Sequence, residues 1–190
     1  MEFKENTPES AFQFIMPKPK LTRDLLLLAL LHLIAAPSFS QQKSPVQSYP
    51  KIIGYASFIH PIVTLDKKGS TFNFSNGYTV GFPIGINILK NDKIGFSFEI
   101  TPVIKAQHDT SKVTNIIFDP GVMFRFKHGF TIITRLAFET VGRYGFTPVF
   151  NQVLIRAKNV NYFVAISTPL RLGNEKPVSV GLALQFGLTF

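Results

Sequence analysis

Ionisable side chains recur at alternate positions along the chain: Glu99 with Lys105, Asp119 with Arg125, Arg135 with Glu139, then Arg156 and Arg171, with the neutral Thr101 and Gln185 on the same side. Most stand between apolar or small neighbours, so extended backbone with its period of two gathers them on one side. Carboxylates and guanidinium groups gathered in this way can form ion pairs or move protons. Hydrolysis of an acyl ester needs more, a histidine beside a hydroxyl nucleophile with a carboxylate to orient the ring. Beyond residue 40 the histidines are His60, His108 and His128, which fall in an apolar run, a loop and a turn. His60, next to Pro61, is assigned to the same side as the ionisable groups and is expected to hydrogen-bond there. No group of His and carboxylates has metal-ligand spacing, and residues 81–85 (GFPIG) do not form a phosphate loop. The chain has no Cys, which excludes a disulfide scaffold, a thiolate metal site, a thiol nucleophile and a lipid-modified N-terminal cysteine. The expectation is therefore no catalytic residue, no metal and no cofactor. A polar network in an enclosed interior is expected instead, made of His60, Glu99, Asp119, Arg125, Arg135, Glu139, Arg156, Arg171 and Gln185.

The elements that must position these groups are strands. In the last fourteen residues, Val178, Val180, Leu182, Leu184, Phe186, Leu188 and Phe190 alternate with Ser179, Gly181, Ala183, Gln185, Gly187 and Thr189. Eight runs of this kind follow residue 40: 52–65, 77–89, 94–105, 116–126, 130–141, 149–157, 162–172 and 178–190. Helical periodicity is absent from them. One side of each run is hydrocarbon, for example Ile84, Ile86 and Ile88, then Phe96, Phe98 and Ile100, then Phe118, Val122 and Phe124. The opposite side mixes the ionisable groups with Gly, Ala and Ser, which fill a narrow interior better than they cover a soluble surface. The breaks between runs alternate in length. Residues 90–93, 127–129 and 158–161 are tight, whereas 66–76, 106–115 and 142–148 read as longer loops. That order fits a membrane barrel with short turns on one side and long loops on the other. Counting along the runs, Glu99 lies six residues past Lys93 and Arg135 six past Gly129. Equal heights predict that these two pair, with Asp119, Glu139 and Arg171 higher up.

Residues 18–40 read as a secretory signal, with Lys18, Lys20 and Arg23 before the apolar stretch 25–36 and Pro37-Ser38-Phe39-Ser40 after it, small at the positions a signal peptidase reads. A stretch of twelve residues that includes His32 falls short of the roughly 20 apolar residues that a spanning helix requires. The expected organisation is an N-terminal extension and signal over 1–40, a periplasmic segment over 41–51 and a single sheet domain over 52–190. Translation beginning at Met16 is compatible with this. Removing residues 1–40 takes four basic and four acidic residues from the 20 and 11 of the whole chain, so the net charge stays at +9. For an exported protein the natural counterpart of that charge is anionic lipid or lipopolysaccharide, and nucleic acid is not expected.

The signal, the eight-run meander and the ending Leu184-Gln185-Phe186-Gly187-Leu188-Thr189-Phe190 together resemble the small eight-stranded outer-membrane barrels of Gram-negative bacteria. The resemblance covers about 52–190. It implies an all-β fold, an eight-stranded antiparallel up-and-down transmembrane β-barrel preceded by a cleavable signal peptide, located in the outer membrane as a monomer. It also implies that Leu184, Phe186, Leu188 and Phe190 act as the signal presented to the barrel-assembly machinery. The chain has no Trp, a departure from the aromatic girdles of such proteins, and Tyr55, Tyr78, Tyr144, Tyr162 and Phe at strand ends stand in for it. Architecture of this kind does not fix function. The leading expectation is a non-catalytic barrel with a structural or interaction role through its outer loops and rim. Two alternatives stay open: an outer-membrane enzyme modifying lipid A, and a secreted lipocalin-like barrel binding a small apolar ligand.

Overall fold

The computed structural model describes residues 48–75 and 77–190. The signal expected over 1–40, and residues 41–47 of the segment after it, lie outside the described residues.

The alternating runs form strands, as β-branched and aromatic residues at every second position favour. In chain order they are β1 (Lys51–Asp66), β2 (Gly69–Phe72), β3 (Tyr78–Gly81), β4 (Ile84–Leu89), β5 (Ile94–Gln107), β6 (Thr110–Arg125), β7 (Phe130–Glu139), β8 (Tyr144–Arg156), β9 (Asn161–Ser167), β10 (Leu170–Leu172) and β11 (Ser179–Thr189). The protein is all-β, and every pairing is antiparallel. Strands β5 to β9 follow one another across the sheet, and β3 and β4 both lie between β1 and β5. Strand β2 pairs with β1, β10 pairs with β8 and β11, and β11 pairs with β1 from Tyr55↔Thr189 to Asp66↔Ser179. The last strand thus returns to the first, which leaves neither of them a free edge for another chain to pair with.

Two of the expected runs are each broken by a proline. Between β3 and β4 lie Phe82 and Pro83, and between β9 and β10 lie Thr168 and Pro169. Proline has no N–H to give to the ladder, yet both flanks stay attached. The Ser57 amide donates to the Pro83 carbonyl at 2.9 Å and the Phe82 amide to the Pro102 carbonyl at 3.0 Å. At the second break the Thr168 amide donates to Pro148 at 3.1 Å and the Gly181 amide to Pro169 at 2.8 Å.

The long loops expected at 106–115 and 142–148 are corrected. β5 and β6 continue in register to Gln107↔Thr110, and the reversal is a two-residue turn in which His108 (φ 47°) and Asp109 (φ 59°) are both left-handed, as a type I′ hairpin turn requires. The strand character of 110–115 was hidden by the register shift between Val103 and Ile104, which interrupts the alternation. β8 likewise begins at Tyr144, and the 66–76 stretch carries β2, folded back on the end of β1 across Lys67-Lys68.

The two faces of the sheet differ sharply. Outward-facing Ile84 (61% exposed), Ile100 (52%) and Phe186 (41%) contrast with inward-facing Glu99 and Arg135, both 4% exposed. The interior itself has two zones. Toward the short turns Leu89, Met123, Ile133, Val149 and Phe163 form an apolar cluster with Tyr55 and Ala165, while farther along the strands the buried residues are Glu99, Asp119, Arg135, Thr147 and Arg171.

Candidate functional site: an ionic network inside the sheet

Glu99 on β5 and Arg135 on β7 are separated by one strand, β6, and the residue between them is Gly121, paired with both Ser97 and Arg135. A Cβ at Gly121 would lie 2.7 Å from Arg135 Cγ and 2.4 Å from the Thr134 carbonyl oxygen. Only the missing side chain lets the arginine stem cross β6. Arg135 Nη1 reaches Glu99 Oε2 at 3.0 Å, and Nη2 donates to the Tyr55 hydroxyl at 3.0 Å and to Ser97 Oγ at 3.2 Å. Tyr55 in turn donates to Glu99 Oε2 at 2.8 Å, and Thr101 donates to Oε1 at 3.2 Å. Tyr55 is held over Gly85, where a Cβ would stand 2.5 Å from its hydroxyl oxygen. Three staves of the sheet, β1, β5 and β7, are cross-braced in this way through the enclosed space.

A second cluster lies toward the end of the sheet opposite the short turns. Arg171 Nε meets Glu139 Oε1 at 2.6 Å, and Arg171 Nη1 donates to Thr147 Oγ1 at 2.8 Å. Asn115 donates to the other Glu139 oxygen at 2.9 Å. Arg143, exterior to the expected set, caps the cluster by donating to the Arg171 and Pro177 carbonyls, both at 3.0 Å, and to Ser179 Oγ at 3.1 Å. Asp119 is directly opposite Glu99 in the ladder. It is buried, and its Oδ1 has no hydrogen-bond partner among the described residues.

Of the nine expected interior residues, Glu99, Asp119, Arg135, Glu139 and Arg171 are gathered in these two clusters. Gln185 also faces inward and donates to Ser57 Oγ at 2.8 Å. Arg125 and Arg156 stand apart, at the short-turn end, where Arg125 Nη1 approaches the Asp92 carbonyl at 3.5 Å. His60 is a correction. Tyr55 and Ser57 point inward, so His60, three residues beyond Ser57 and paired with Leu184, points outward. There its Nδ1 lies 3.3 Å from the Tyr78 hydroxyl, and its ring lies against Phe74 and Tyr78. The odd spacing from Tyr55 and the even spacing from Phe58 carried this signal. Tyr55 is a second correction: placed with the girdle by residue type, it is 2% exposed at the centre of the network. Gly85 on the facing strand is the clue that sequence reasoning passed over.

Leu184, Phe186 and Leu188 lie on the outward face of β11, with the Phe186 ring stacked on Phe58 at 5.4 Å. Phe190 exchanges both backbone hydrogen bonds with Gly54, at 2.9 and 3.0 Å. No protein-family model matches the chain, and no curated protein matches it either.

Proposed function

We propose that this protein is an integral outer-membrane β-barrel with a structural or interaction role, exported by the segment 18–40 and contacting outer-membrane lipid and lipopolysaccharide. One observation carries the reading: hydrocarbon covers the outward face of a sheet whose first and last strands pair, while Glu99, Asp119, Arg135 and Arg171 are buried within. In water such an apolar surface is far beyond the few hundred Å² that soluble monomers expose. In a bilayer it is the required surface, and closure satisfies the backbone groups that lipid cannot. Taking β3 with β4 and β9 with β10 as single staves, and β2 as part of an outer hairpin, gives eight, an even number in keeping with both ends on the short-turn side. The polarity supports this reading over a soluble lipocalin-like barrel, whose apolar residues face in. The outward series Leu184, Phe186, Leu188 and the terminal Phe190 suit an assembly signal, and cells making a chain without Phe190 are expected to accumulate it in the periplasm. The test of location is a detergent gel of the membrane fraction. A band that migrates differently before and after boiling is expected, and a chain recovered in the soluble fraction without detergent would contradict the proposal.

A further inference from the structure

A cavity of about 330 Å³ occupies the short-turn half of the interior, within the range of about 300–1,000 Å³ usual for small-molecule sites. One side of its wall is hydrocarbon, from Ile53, Leu89, Met123, Ile133, Val149 and Phe163, and neutral polar groups of Thr131, Asn151, Asn161 and Gln185 complete it. Its mouth is cationic. Lys51, Arg125 and Arg156 line it there, and no carboxylate lines it among the described residues. The inner end is closed by Arg135 and Asn87, where two polar atoms are left over. Arg135 Nε and Asn87 Oδ1 are buried and have no hydrogen-bond partner among the described residues, on residues only 4% and 8% exposed. An unmatched buried polar atom costs free energy, and an apolar wall around open space forgoes its contacts, so both features are answered by the same occupant.

We infer that this cavity binds a single-chain amphiphile. The anionic head sits at the mouth among Lys51, Arg125 and Arg156, the apolar body lies along the wall, and a polar terminus reaches Arg135 and Asn87. From Lys51 to Tyr55, and from Thr131 to Arg135, is four residues, roughly 13 Å along a strand, which selects a medium-length chain. The inference concerns the enclosed space and stands whichever phase meets the outer face, so it does not fall with the membrane assignment.

Met123 is the one methionine beyond Met16 and it lines the cavity, so an isotope-labelled methionine methyl reports the site. With the full chain refolded in lipid nanodiscs, ω-hydroxydecanoate is expected to shift the Met123 methyl saturably, decanoate to bind more weakly, and decyltrimethylammonium not to bind. The methyl groups of Ile100 on the outer face are expected to show only a linear drift from partitioning into lipid. Arg125→Gln with Arg156→Gln should weaken binding on the order of fivefold. Arg156 is exposed and makes no hydrogen bond among the described residues, so Arg156→Gln alone keeps the fold and must act in the same direction. A Met123 response that merely parallels Ile100 would mean that the cavity holds water only and would overturn the inference, as would equal binding of the quaternary ammonium probe. Equal affinity for decanoate and ω-hydroxydecanoate would overturn the role given to the inner end.

Discussion

The interior of this protein is built in two ways within one sheet. Around Glu99, Arg135, Glu139 and Arg171 the space is filled by charged side chains that spend their hydrogen bonds on each other and on Tyr55, Ser97, Thr101 and Thr147. Around Leu89, Met123, Ile133, Val149 and Phe163 hydrocarbon packs beside neutral polar groups such as Asn151 and Gln185, and the space is left partly open. The difference teaches where rigidity comes from in a narrow closed sheet. Dispersion contacts cannot brace strands that face each other across a cavity, whereas an arginine can span β6 and fix three strands at once. The ionic zone is therefore expected to dominate stability and the apolar zone to accommodate change.

The largest effect should come from unpairing the ionic zone. Arg135→Gln leaves the Glu99 carboxylate buried without its cation, at a cost of about 3–5 kcal/mol. Combined with Glu99→Gln, the loss should be smaller than the two single losses together. A double-mutant cycle on urea unfolding in vesicles measures this, and strict additivity would break the comparison by showing that the contact carries no coupling.

Next in size is the contrast between outward and inward faces. Leu184→Lys, on the outward face of β11, is expected to cost about 2–4 kcal/mol when folding takes place in a bilayer. Asn151→Lys, inward at the cavity and only partly buried, should cost within about 0.5 kcal/mol. Equal losses in a vesicle-folding assay would mean that the faces are exchanged.

In the apolar zone, Met123→Ala removes a side chain that borders open space and should cost about 2 kcal/mol, the low end for truncating a buried methionine. A loss matching that of Arg135→Gln would erase the distinction between the zones. The smallest effect sharpens the ionic side. Asp119 faces Glu99 directly, and like charges opposed across a ladder are destabilising by up to about 1 kcal/mol. Asp119→Asn is expected to leave stability unchanged or raise it by that amount, and a clear loss in the same urea assay would show that its carboxylate has a partner.

Much of this arrangement was legible in the sequence because a period of two is an unambiguous signal. The strand runs, the inward set Glu99, Asp119, Arg135, Glu139, Arg171 and Gln185, and the equal heights of Glu99 and Arg135 all follow from counting along alternating residues. Legibility failed where the count was broken or where residue type was allowed to outrank it. The shift at Val103/Ile104 turned a hairpin into an apparent loop, and Tyr55 and His60 were placed by chemical habit against their own parity. The bracing depends on Gly85 beside Tyr55 and Gly121 beside Arg135, which come together only through pairing of strands, and no local window contains that. The apolar zone was missed for a related reason, since Leu89, Met123 and Phe163 fall on the face that the charged residues define as polar.

The account rests on hydrocarbon facing out and charge facing in. The chain has no Trp, so a single one can be placed on either face as a depth-sensitive reporter. With protein reconstituted in bilayers of brominated lipid, Phe98→Trp is predicted to be strongly quenched and Met123→Trp to keep its emission. Quenching of Met123→Trp with Phe98→Trp spared, or equal quenching of both, would contradict the account.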